Sequence, residues 1–182
     1  MMKGRALDID GNPIGFHLTV RGNLVVENTL ENSIHEGRRF YLRNYQNIAN
    51  EDVVNFLVVP SEGYDLHVDL GLKSDVLCDV KIYINPTVTN YGDEQTLRNH
   101  NQNYIASTFY SNVYKDITVS ANGTLALADK VESGKHVAAT RYSTGEFVLV
   151  YPYSAFMIIT AEEGPGYLTW DFGATQTIAR SY

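Results

Sequence analysis

His67 and Asp69 come closest in this chain to a reactive pair. Two residues apart on a strand, they project to the same side. A histidine and a carboxylate so placed, joined by a distant second histidine, make the iron site of non-haem oxygenases. His100 and His136 are the candidates for that third ligand. The strand that carries the pair argues against the metal. Leu66 and Val68 define its apolar face, so His67 and Asp69 fall on the polar one, whereas such ligands point into a barrel. His35-Glu36-Gly37 has acid–base residue types in a turn-like context, and a structural turn or strand entry is expected there. Asp8, Asp10 and Asn12 imitate the start of a calcium loop, but Thr19 stands where that loop needs a glutamate, and a hairpin turn is expected. Cys78 lies on the apolar side of its strand and is expected to be a small buried hydrophobe. Glu162-Glu163 sits in a turn and reads as solvated charge. Tyr91, Tyr104, Tyr110 and Tyr114 have the chemistry of a sugar-stacking platform and equally that of cross-strand packing. The chain contains no nucleophile elbow, zinc-protease helix motif or phosphate-cradling glycine loop. The residues thus assign no catalytic, cofactor-binding or metal site.

The elements that would position these residues are strands. Val53–Val59, Tyr64–Leu70 and Val76–Ile84 follow one another with turn chemistry between them, at Pro60-Ser61-Glu62-Gly63 and Gly71-Leu72-Lys73-Ser74-Asp75. The last two runs alternate with a period of two, and an antiparallel meander over a core is expected. Further strands are expected at Arg39–Tyr45, Tyr104–Tyr110, Ile117–Ser120, Thr124–Ala128, Glu146–Tyr151, Ala155–Thr160 and Tyr167–Phe172. Ala121-Asn122-Gly123 is expected to close a hairpin, and Leu168, Trp170 and Phe172 to share a core face. Many short strands with frequent turns predict an all-β fold, an antiparallel β-sandwich or jelly-roll-like domain. Residues 1–32 read as a separate arm of short hairpins that must dock on the main domain, on a sister subunit or on a larger assembly, and residues 33–182 as the domain. The polar interval from Asn90 to Asn103 is expected to project as a contact loop.

The totals narrow the function. A chain of 182 residues buries about 70% of its unfolded surface. The net charge of −7 argues against nucleic acid as a partner. One cysteine leaves no internal disulfide. No apolar run reaches the roughly 18 residues of a membrane span. No apolar signal segment follows Met1-Met2-Lys3-Gly4-Arg5, so a cytoplasm-like site of synthesis and assembly is expected.

Several segments, in order, resemble the capsid decoration (auxiliary or cement) proteins of tailed phages. They are Ile34-His35-Glu36-Gly37-Arg38-Arg39-Phe40, Phe56-Leu57-Val58-Val59-Pro60, the strand with His67, and Val80-Lys81-Ile82-Tyr83-Ile84-Asn85. Thr87-Val88-Thr89, Gly92 and Asn99-His100-Asn101 follow, then Glu146–Tyr153, Ala155–Thr160 and Leu168-Thr169-Trp170. The chain departs from the family pattern at Gln102-Asn103 and at Pro152-Tyr153-Ser154. The resemblance implies a non-enzymatic virion structural protein, assembled in the host cytoplasm, that binds the capsid exterior and stabilises or decorates it. Its partners would be the major capsid protein and neighbouring copies of itself, as a dimer or trimer, with no nucleic acid, membrane or cofactor. The alternative is a carbohydrate-binding β-sandwich module, such as a fibre or adhesion head facing a host-surface glycan.

Overall fold

A computed structural model of the chain describes residues 33–34, 36–101, 108–131 and 142–179 (backbone alone for 142–146), preceded by four two-residue strands. Those four are β1 (Ala6–Leu7), β2 (Pro13–Ile14), β3 (His17–Leu18) and β4 (Leu24–Val25). They pair as β1 with β2 and β3 with β4, both antiparallel, in the order expected of two hairpins. The turn candidates Asp8, Asp10 and Asn12 lie outside the described residues, as do His35, Tyr104 and His136.

Two larger sheets hold most of the remaining strands, and every strand pair in them is antiparallel. The six-stranded sheet runs β10 (Asp93–Glu94), β12 (Asn112–Lys115), β6 (Val53–Val59), β16 (Ala155–Ala161), β8 (Cys78–Ile84), β14 (Thr124–Val131). The five-stranded sheet runs β11 (Arg98–Asn99), β5 (Arg39–Ile48), β17 (Gly166–Ile178), β7 (Tyr64–Ser74), β15 (Tyr142–Val150). Each has two distinct end strands, so neither closes into a barrel. Residues of both sheets share one core. Leu66, Val68, Leu70 and Leu72 of β7 join Val80 and Ile82 of β8, with Leu168, Trp170 and Phe172 of β17. At its centre Phe56 of β6 stacks on Trp170, centroids 4.8 Å apart. Cys78 is buried in this core as expected, and burial pushes its thiol pKa up.

The expected meander does not form. β6 and β8 belong to the six-stranded sheet with β16 between them, and β7 belongs to the other sheet. The alternation specified which side of each strand is apolar, and that held. It carries no information about neighbours, and the turn at 60–63 and the link at 75–77 carry the chain from one sheet to the other. The expected turn at Gly71–Asp75 also starts late. β7 continues to Ser74 because Leu72 extends the core-facing series of Leu66, Val68 and Leu70, and its ladder with β17 runs on through Trp170↔Leu72 to Leu168↔Ser74. Residues 108–110 of the expected Tyr104–Tyr110 strand are not strand, and β12 lies just after them.

A two-stranded ladder of β9 (Thr87–Asn90) and β13 (Thr118–Ala121) supplies a further layer. Ala121-Asn122-Gly123 is therefore not a hairpin turn: β13 pairs with β9, whereas β14 pairs with β8. Val88 and Val119 of this ladder pack with Leu57, Phe156 and Ile117, on the side of the six-stranded sheet away from the main core. Hence β6 and β16 are apolar on both faces, which is why Phe56-Leu57-Val58 and Phe156-Met157-Ile158-Ile159 do not alternate. Asn55 fastens one end of the ladder: its Oδ1 accepts from Ile117 N–H at 2.9 Å and its Nδ2 donates to Ile117 O at 3.3 Å. At the other end Gly123 has φ +89°, and a Cβ there would stand 2.2 Å from the Ile84 carbonyl oxygen. Only glycine meets both demands.

The interval from Asn90 to Asn103 does not simply project. β10 lies on the end of one large sheet and β11 on the end of the other, and Leu97 between them is buried in the core. The segment straps the two sheets together along one side.

Candidate functional site

The outer side of the five-stranded sheet carries the polar constellation. Alternation puts Arg39, Tyr41, Arg43 and Tyr45 on this face of β5, opposite the buried Phe40 and Ile48. The ladders bring to the same face Tyr167, Thr169, Asp171, Gly173 and Thr175 from β17, and Asp65, His67, Asp69 and Lys73 from β7.

At one end Arg39 reaches across β17. Its Nη1 donates to Thr175 Oγ1 at 3.0 Å, and its Nη2 bonds the Asp69 carboxylate on the far strand. The crossing needs Gly173 between them: a Cβ there would meet Arg39 Nη2 at 2.4 Å and Asp69 Oδ1 at 2.6 Å. His67 and Asp69 do share a face away from Leu66 and Val68, as expected, but both are half-buried and the Asp69 carboxylate is committed to Arg39. His67 stands in register with Thr175 and Val148. Among the described residues no three His, Cys, Asp or Glu side chains are grouped to hold a metal ion.

His100 packs at the margin of this face. Its ring lies 4.6 Å from that of Tyr41, and its amide donates to the Arg39 carbonyl at 2.9 Å. Burial, then the charge of Arg39, lowers its pKa from the ordinary 6.5, with Asp69 opposing. A histidine that binds its proton less readily folded than unfolded makes stability rise with pH. Its contribution is complete above pH 6.5 and is lost as the pH falls through the lowered folded value. The stability difference between wild type and His100→Gln should therefore shrink from pH 8 to pH 5 in thermal melts, and a pH-independent difference would refute this.

At the other end Tyr45 and Tyr167 stack, with centroids 5.5 Å apart and planes 19° from parallel, while remaining 60% and 51% exposed. They line a recess of about 250 Å³ together with Lys73, Ser74, Asp75 and Thr169. Ser74 and Asp75 hold the backbone of Tyr167: Asp75 Oδ1 accepts its N–H at 2.6 Å, and Ser74 Oγ donates to its carbonyl at 3.3 Å. Partial desolvation, then the nearby Tyr167 and Asp75, raises the pKa of the Tyr45 hydroxyl. Between the two ends Arg43 forks onto Asp171, with the Nη2–Oδ2 bond at 3.2 Å.

Among the described residues, the tyrosines singled out from sequence fall into two separate pairs. Tyr91 packs edge-on to Tyr114 at 4.9 Å, and Tyr110 stacks on Tyr64 at 4.8 Å. Glu36 is exposed and pairs with Arg38 beside the turn at Gly37. Glu162 is not simply solvated charge, since Lys130 Nζ bonds both its carboxylate oxygens at 2.7 Å. The Tyr45–Tyr167 pair was within reach of the sequence in part, because period two exposes each ring. The register that sets Tyr45 opposite Thr169, next to Tyr167, is a property of the ladder. No protein-family model matches the chain, and no curated protein and no solved structure matches it.

Proposed function

We propose that the chain is a non-enzymatic virion structural protein that decorates and stabilises the outer surface of a phage capsid. In this reading residues 33–182 form a rigid β-sandwich head from the two large sheets, and residues 1–32 form the arm that docks on the major capsid protein. The observation that carries the proposal is the contrast between these parts. The core assembles from residues between Phe40 and Ala174. Ahead of it stand two antiparallel pairs only two residues long. Pairs so short are not stable alone in water and need a surface to bury against. The ordered resemblance from Ile34 to Trp170 supplies the identity of that surface. Binding beside identical copies on a lattice would let modest docking contacts sum to firm retention, provided salt screens the repulsion between acidic neighbours.

Deletion of residues 1–32 is expected to leave a β-rich circular dichroism spectrum and a cooperative melt while abolishing co-sedimentation with capsids. Undiminished sedimentation of the truncated protein would overturn the assignment of the arm.

A further inference from the structure

The Tyr45–Tyr167 recess has features that packing alone does not require. Two large rings stay more than half exposed on a sheet face, where leaving apolar area in water forgoes stabilisation. Ser74 and Asp75 hold the backbone that carries one ring, and the two rings stack on each other. The space beside them, about 250 Å³, falls below the roughly 300–1,000 Å³ of sites for drug-sized ligands. It suits a single ring.

We propose that this recess is a binding site for one pyranose ring of a polysaccharide. A pyranose presents an apolar C–H face and a rim of hydroxyls. The C–H face complements the electron-rich face of a tyrosine. Thr169 pairs with Tyr45 on one neighbouring strand and with Lys73 on the other, all three line the recess, and the Thr169 hydroxyl and the exposed Lys73 ammonium would meet the hydroxyl rim. The Tyr91–Tyr114 and Tyr64–Tyr110 pairs do not line this recess. The site lies on the head and stands or falls independently of the docking arm.

The test is a glycan array of glucosides, galactosides, N-acetylhexosamines and uronic acids, probed with the full-length chain. Saturable binding to at least one class is expected. Tyr45→Ala and Tyr167→Ala should each weaken it about tenfold, the loss of one stacking contact. Tyr91→Ala, at an unrelated pair, should leave it within about threefold, and Tyr45→Phe, which keeps the ring face, should weaken it less than Tyr45→Ala does. Circular dichroism melts would verify folding, and should Tyr167→Ala unfold, the more exposed Tyr45 carries the comparison alone. An array without signal overturns the proposal, and so does a signal that Tyr45→Ala leaves unchanged.

Discussion

Trp170→Ala is expected to lower the unfolding free energy by about 3–5 kcal/mol, the range for emptying a large aromatic site in a core. Trp170 is fully buried on β17 and stacks on Phe56 of the facing sheet, with Phe172 edge-on to Phe56 at 6.3 Å. Removing it breaks the contact that joins the two large sheets at their centre, and strands fixed by two ladders each cannot collapse into the gap. Trp170→Phe should cost clearly less, because a phenyl ring keeps the stack and no acceptor among the described residues bonds the indole Nε1. Urea unfolding followed by far-UV circular dichroism measures both. Equal losses for the two variants would show that the retained ring contributes nothing at this site and would overturn the prediction.

Asp69→Ala is expected to cost roughly 3 kcal/mol, the lower end of the range for stranding one partner of a buried ion pair. The Arg39 side chain is only 9% exposed and that of Asp69 28%, so the guanidinium would lose its main counter-charge where water reaches it poorly, keeping Thr175 as a neutral acceptor. The double variant Arg39→Met with Asp69→Leu should recover most of the loss, since apolar replacement removes the desolvation cost on both sides. Urea titrations of the two proteins separate the effects. If Asp69→Ala unfolds at the wild-type midpoint, the pair is not structural.

Alternation made the facing of most strands legible. Leu66, Val68, Leu70, Val80, Ile82, Leu168, Trp170 and Phe172 were assigned inward from period two, and all are buried. Val53–Val59 was bounded to the residue, because Pro60 and Gly63 punctuate a short turn. Partner choice was not legible. Whether β6 lies beside β7 or β16 depends on which long-range ladder wins, and no local pattern encodes that. The ladder of β9 and β13 was legible only in part: a strand was expected at Ile117–Ser120, over most of β13, whereas β9 and the pairing were not. Its own sequence is mostly polar, Thr87-Val88-Thr89-Asn90 and Thr118-Val119-Ser120-Ala121, and the hint lay elsewhere, in the unbroken apolar runs of the strands it covers. The recess between Tyr45 and Tyr167 needed both: exposure from alternation and proximity from a pairing 122 residues apart in sequence.

The unequal covering of the two sheets also sets where the chain is free to change. On β6 and β16 nearly every residue is committed, one face to the main core and the other to the ladder of β9 and β13. On β5, β7 and β17 every second residue faces outward. Away from Arg39, Asp69 and Gly173, substitutions there can reshape that face without disturbing the core beneath it. A lineage that changes its target can thus redraw one side of the protein while the other stays nearly fixed.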